Sequence, residues 1–191
     1  MNPLIDYFQY KSQRLLSDHE KEFLAEIFKE ETYKKKTILF RNGDINTKHY
    51  FIAQGLTRLY VIDHQGREFN VLFARENQII GDLSSPAPTR FFLETIEDSI
   101  VYSADNDHIE KFNAFLLQKM NFEGMDILRR SYIFLQRRLI SILTNNAEEN
   151  YLELLRDYPD LVQRLPQYQV ASYLGVSPEF LSKIIAKTIK K

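Results

Sequence analysis

The run Gln167-Tyr-Gln-Val-Ala-Ser-Tyr-Leu-Gly-Val-Ser-Pro-Glu-Phe-Leu-Ser-Lys-Ile184 reads as two short helices joined by a tight turn. No other stretch of the chain narrows the choice of fold so far. Two helices crossing at about 90 to 120° need a small residue where they touch and a residue able to take positive φ in the turn. Ala171 and Gly175 fill those places. Val170, Leu174 and Val176 give the first helix and turn an apolar side, and Leu181 with Ile184 gives the second helix a stripe at i, i+3 spacing. Pro166 suits the start of the first helix. Ser177 followed by Pro178 reads as an N-cap with proline at the first helical position, and Glu179 complements the helix dipole.

Charge gives this helix-turn-helix a direction. Residues 164–191 hold five basic side chains against Glu179 alone, a net of +4, while 20 basic and 25 acidic residues leave the rest at −5. A near-neutral chain with its positive charge gathered beside a groove-sized helix has the footprint of a phosphate-backbone binder. An ordinary helical hairpin packed for stability carries similar punctuation and is the alternative.

Composition excludes several chemistries. The 191 residues suffice for one large domain, or for one medium and one small domain. Zero cysteines remove disulfides, thiolate metal sites and a cysteine nucleophile. The four histidines, at 19, 49, 64 and 108, form no His-x-His or His-x-x-x-His pair, so no metal ligand set is visible. His49 is expected on the surface of a strand. There is no P-loop, no Gly-x-Ser-x-Gly and no recognisable carboxylate pair, and no catalytic residue is assigned. Without a leader pattern or a run of 18 apolar residues, the protein is expected to be soluble and cytoplasmic, with no membrane partner.

Ser17-Asp-His-Glu20 forms a capping box that starts a helix with Phe23, Leu24, Ile27 and Phe28 inward, and the charged run through Lys36 returns it to solvent. From Thr37 the hydrophobic period becomes two, in short runs (Ile38/Phe40, Tyr50/Ile52, Leu56 to Ile62, Val71/Phe73) separated by glycine-bearing turns. Strands so spaced predict a β-sandwich or barrel. Phe91 to Ala104 reads as a closing strand pair bent at Glu97-Asp98. From Asp107 the pattern is helical again. Met125, Leu128, Tyr132, Leu135, Leu139 and Ile142 follow one another by 3, 4, 3, 4 and 3 residues, an a/d seam that calls for a partner helix. Ile127, Ile133, Phe134 and Ile140 offer a second apolar face, so the helix can also lie on its own β-region. Asn145-Asn146 ends it, and a short helical piece from Glu149 to Arg156 leads toward the basic end.

This order resembles the Crp/Fnr family of bacterial transcription regulators. The likeness is carried by Lys36-Thr-Ile-Leu-Phe-Arg-Asn-Gly-Asp44, Tyr50-Phe-Ile-Ala-Gln-Gly-Leu-Thr-Arg-Leu-Tyr60, Ile79-Ile-Gly-Asp-Leu83 and the run Gln169 to Lys183. The resemblance implies an α+β fold. Its expected parts are a double-stranded, jelly-roll-like cyclic-nucleotide-binding β-roll with an N-terminal helix over 1–116, a dimerisation helix over 117–145, and a winged-helix-like helix-turn-helix domain over 146–191. It implies a non-enzymatic homodimer that binds double-stranded DNA and meets RNA polymerase. The rival reading is a β-roll small-molecule-binding protein or enzyme whose C-terminal helices serve assembly alone.

Site residues follow from these two sources. In a helix-turn-helix the first turn of the second helix faces the major groove, so Pro178, Glu179, Ser182 and Lys183 form the expected base-reading set. Gln167 and Ser177 are placed for phosphate contacts, and Lys187 for tracking the backbone. Met125, Leu128, Tyr132, Leu135, Leu139 and Ile142 are the dimerisation residues. In the family, a Gly-Glu-Leu turn and an Arg-Ser/Thr-Ala run hold a cyclic phosphate. Here Gly81, Asp82 and Leu83 match the first part. The second reads Pro86-Ala-Pro-Thr-Arg-Phe-Phe92, with Thr89 in the place of the phosphate arginine and Arg90 one residue out of register. A small-molecule effector at these five residues is therefore expected to be something other than a cyclic nucleotide.

Overall fold

The first helix, α1 (Pro3–Ser12), begins where the Asn2 side chain accepts from the Leu4 and Ile5 amides, with Pro3 supplying the fixed φ of the first turn. That Asn-Pro start signal stands in the sequence, yet the short amphipathic pattern behind it gave no helix by periodicity. α2 (Asp18–Ile27) starts at the foreseen capping box, in which Ser17 and Glu20 satisfy each other's backbone amides. The Arg14 guanidinium grips the Glu20 carboxylate at 2.5 Å and holds its pKa down to about 2. The computed structural model describes residues 2–45, 48–82, 87–119 and 124–189, with the side chains of 116–128 and 189 outside that description.

The chain divides into two compact units, Met1–Val61 with Leu72–Asp126, and Ile62–Val71 with Ile127–Lys191. In the first, eight strands among the described residues form two antiparallel sheets: β1 (Lys29–Tyr33), β2 (Ile38–Phe40), β3 (His49–Gln54), β4 (Thr57–Ile62), β5 (Glu68–Ala74), β6 (Gln78–Ile80), β7 (Phe92–Thr95) and β8 (Ser99–Ala104). One sheet has the order β1-β8-β3-β6 and the other β2-β7-β4-β5. Their inner faces share one core of Phe40, Tyr50, Ile52, Leu59, Ala74, Ile80, Leu93 and Val101, drawn from seven of the eight strands. The turn before β4 needs glycine. Gly55 sits at φ +103°, and a Cβ there would meet Ser99 Oγ at 2.3 Å.

Two expectations are corrected here. The helix ends at Ile27, and the charged stretch after it is strand β1, in register with β8 from Lys29 opposite Ser103 to Tyr33 opposite Ser99. Its carboxylates are paired, Glu30 with Tyr102 Oη at 2.6 Å and Glu31 with Lys48 and Ser103 at 2.8 and 2.9 Å. Cross-strand partners thus substitute for apolar alternation. Strands β7 and β8 flank the foreseen bend, but they are not a pair: β7 lies between β2 and β4, while β8 lies between β1 and β3. α3 (Asn106–Lys119) follows, and its Phe112 meets Phe8 of α1 and Phe28 at ring separations of 5.2 and 5.1 Å.

The second unit is built on α4 (Gly124–Thr144), α5 (Ala147–Asp157), α6 (Pro159–Arg164), α7 (Gln167–Leu174) and α8 (Pro178–Ile189). Asn146 ends the approach to α5 by forming a second capping box with Glu149. α6 is the element the sequence pattern passed over, a single turn and a half begun by Pro159. Tyr151, Leu154, Leu161, Leu165, Val170, Ala171, Leu181 and Ile184 are buried and make this unit's core. In the region expected to be winged-helix-like, the regular elements among the described residues are all helices, joined by short turns. No helix among them is long and apolar enough to cross a membrane.

Candidate nucleic-acid interface

Ala171 is wholly buried where α7 meets α8, and its carbonyl accepts from the Val176 amide at 3.0 Å across the turn. Gly175 closes α7 in the left-handed region, φ +70°, a conformation open to glycine at little cost. Ser177 then caps α8, its Oγ accepting from the Phe180 amide at 3.2 Å. Leu181 and Ile184 point inward with 0% and 5% exposure, so the opposite face of α8 is left to solvent. Pro178, Glu179, Ser182, Lys183 and Lys187 are all exposed on it.

The geometry brings these residues together from both helices. Exposed Gln167 of α7 lies 3.5 Å from the Ser182 hydroxyl of α8, within hydrogen-bond reach of it. The Glu179 carboxyl is held below its ordinary pKa by its own amide and by Ser177, which keeps it an anionic acceptor. Lys187 forms an ion pair with Glu148 of α5 at 2.5 Å, tying α8 to the helix below it. Tyr168 and Phe180 are 55% and 50% exposed on α7 and α8. Neither was singled out in the sequence, where an aromatic beside an apolar stripe reads as core; their position flanking the turn is visible only once Leu181 and Ile184 define the inner face.

The tip of the β4–β5 hairpin belongs to this same unit. Asn70, 2% exposed, donates its amide to Ser172 Oγ at 3.0 Å and its Nδ2 to Gln169 O and Oε1 at 3.0 and 2.6 Å. Ser172 in turn donates to Glu68 O at 2.7 Å. Arg138 of α4 donates to Asn70 O and Tyr173 O at 3.2 and 2.8 Å. α7 is thus held by polar contacts on the side away from α8.

On α4, Tyr132, Leu135, Leu139 and Ile142 are 62%, 47%, 57% and 58% exposed, an apolar face turned to solvent. The side chains of Met125 and Leu128 lie outside the described residues, as does Leu83.

Of the expected effector residues, Thr89 is buried, with backbone bonds to Gly43 and Asp44 and its Oγ1 accepting from the Phe91 amide. Arg90 is exposed. Phe92 stacks on Tyr60 with centroids 5.1 Å apart, and Phe91 packs against the sheet core, so rings fill the place that follows Thr89. Asp82 is buried beside His49. His49 corrects the expectation of a surface position: it is 7% exposed, because the bare face of Gly81 admits its ring, and a Cβ at Gly81 would lie 2.5 Å from it. Among the described residues, neither ring nitrogen has a hydrogen-bond partner. Among the described residues no three His, Asp or Glu side chains gather as a metal site.

Burial lowers the His49 pKa from its ordinary 6.5, against a smaller opposing pull from Asp82. The native state then binds fewer protons than the unfolded chain, so this contribution to stability is complete above about pH 6.5 and is lost as the pH falls below it. Thermal unfolding of the wild type is expected to move to lower temperature between about pH 7 and pH 5.5. His49→Leu should flatten that dependence, and parallel curves for the two proteins would contradict the assignment.

Residues 30–114 match the cyclic nucleotide-binding domain family model. A search of curated protein sequences found no significant match. Among solved structures, FixK2 from Bradyrhizobium japonicum is similar with a TM-score of 0.75 at 17% identity, over 86% of this chain and 85% of that one. The c-di-GMP-responsive global regulator CLP of Xanthomonas campestris gives 0.73 at 13% identity, over 91% and 92%. A chain from Eubacterium rectale assigned to the Crp/Fnr family of transcriptional regulators gives 0.69 at 12% identity, over 95% and 87%. The protein therefore shares the fold of these chains, a β-roll of the cyclic nucleotide-binding domain type followed by C-terminal helices.

Proposed function

We propose that this chain, built on the Crp/Fnr fold, is a homodimeric, sequence-specific DNA-binding transcription regulator. The observation that carries the reading is the exposed face of α8. Pro178, Glu179, Ser182 and Lys183 stand together there while Leu181 and Ile184 anchor the helix from behind. Glu179 accepts from a cytosine amine, and Lys183 donates to guanine acceptors as a single point charge. Gln167 and Ser177 contact phosphates beside the groove, and Lys187 exchanges Glu148 for a phosphate oxygen. Functionally the chain parses into an effector region over 1–116, a dimerisation helix over 117–145 and a DNA-binding region over 146–191. Leu135, Leu139 and the rest of the α4 seam join two copies. RNA polymerase is the downstream partner of such a regulator.

The β-roll is the effector part, with Gly81, Asp82, Leu83, Thr89 and Arg90 as its contact residues. Its ligand is something other than cyclic AMP: Arg90 is exposed, and Phe91 and Phe92 occupy the place where small residues admit a cyclic phosphate in the family. Catalysis plays no part in this reading.

Fluorescence anisotropy with a labelled duplex across a salt series tests it. Binding is expected at low salt and should weaken by about 10³ to 10⁵ between 50 and 200 mM if six to ten phosphates are contacted. Absence of binding at the lowest salt would favour a β-roll ligand-binding protein whose C-terminal helices only assemble it.

A further inference from the structure

Within the second unit, α4, α5 and α7 enclose a cavity of about 310 Å³. On α4 it is lined by Arg130, Phe134, Arg137, Arg138 and Ser141. At 3.6 residues per turn these positions lie on a different face from Leu135 and Leu139, with Ile142 at the border. Pairing of the apolar seam therefore leaves the cavity accessible.

Its lining has an unbalanced charge. The Arg138 guanidinium, half-buried, lies 3.5 Å over the Tyr173 ring, and its Nη2 donates to the carbonyls of Asn70 and Tyr173. Those partners are neutral dipoles. Among the described residues no carboxylate pairs with Arg138, and its Nε and Nη1 donors are not used. Even a half-buried cation without a counter-charge is costly, and desolvation pushes its pKa down. The two carboxylates of the lining are engaged elsewhere: Glu153 accepts from Ser141 Oγ at 2.9 Å, and Asp157 pairs with Arg156 at 2.7 Å. A second polar group also waits in the lining. Asn150 Oδ1, an acceptor, is shielded from solvent and has no partner among the described residues.

We propose that this cavity is a small-molecule site separate from the β-roll, taking a single-ring aromatic anion with Arg138 as its charge partner and a donor group on the ring for Asn150 Oδ1 to accept from. The aromatic class follows from the walls. Phe134, Tyr158 and Tyr173 offer ring surface, and Ile133 with Leu154 offers apolar contact. The volume stands at the lower end of ligand pockets, about 300 to 1,000 Å³, and suits one ring bearing a carboxylate or phosphate. A guanidinium presents paired donors that match either group.

Benzoate titrated into the full-length protein, read by ¹³C-methyl spectra, tests this without reference to DNA. The methyls of Ile133, Leu154 and Leu174 are expected to shift and saturate with a Kd of about 1 to 10 mM, ordinary for nine heavy atoms. Benzamide, the neutral isostere, should bind at least about tenfold more weakly, and so should benzoate to Arg138→Gln. If Arg138→Gln fails to fold, Ile133→Trp fills the cavity with Arg138 intact and should abolish the shifts. The proposal is overturned by equal affinity for benzoate and benzamide, by shifts confined to β-roll methyls such as those of Leu59 and Leu93, or by none at about 50 mM.

Discussion

Glutamate at both Leu135 and Leu139 is expected to convert a dimer into a soluble, folded monomer. The two leucines are 47% and 57% exposed on the chain by itself, so their replacement leaves the core of the second unit untouched. Burying a leucine against a partner helix is worth about 1.5 to 3 kcal/mol, and a symmetric pair buries four of them. Their loss, with four facing carboxylates added, should raise the dimer dissociation constant by at least about 10³. Sedimentation equilibrium reads this directly. Affinity for a two-fold operator should collapse in parallel, since each monomer holds only one half-site. A wild type that sediments as a monomer at tens of micromolar, about where weak dimers dissociate, would remove the seam from the account.

Features set by neighbours in the chain were legible in the sequence. The Ser17–Glu20 capping box, the Ser177 cap and the positive φ of Gly175 each depend on residues within a turn, and each stands where it was read. Features set by distant partners were not. Strand β1 carries almost no apolar alternation, and only its ladder with β8, about seventy residues on, makes Lys29–Tyr33 extended. The bend at Glu97-Asp98 is local, but the assignment of β7 and β8 to different sheets depends on which strands each one meets. His49 is buried because Gly81 lacks a side chain, a pairing that a lone histidine in a strand pattern cannot announce.

The candidate site divides along the same line. The outward set on α8 follows from helical period once Leu181 and Ile184 are taken as inward, and both are buried. The hold on α7 from the hairpin tip was invisible, because Asn70 and Gln169 stand 99 positions apart. The cavity beside Arg138 was equally hidden, since its walls come from three helices whose separate patterns read as core or solvent face.

Replacing Glu179 and Lys183 by alanine is expected to remove sequence preference while leaving the fold and much of the affinity in place. Both side chains are exposed and neither braces α8, whose seat is Leu181 and Ile184. Each base contact is worth about 1 to 3 kcal/mol of discrimination, and a symmetric dimer makes each contact twice. Glu179→Ala should relax one symmetric pair of operator positions, and Lys183→Ala a second pair. Competition with a permuted duplex should therefore show specificity falling by about 10² or more for the double variant, with unchanged thermal unfolding.

Selection of the wild-type protein against a pool of random duplexes tests the central claim most directly. A two-fold symmetric motif is expected, with half-sites centred about 34 to 36 Å apart, one turn of the duplex. Enrichment of no symmetric motif, by a protein shown to be folded and with or without added small-molecule fractions, would contradict the reading of α7 and α8 as a DNA-recognition element.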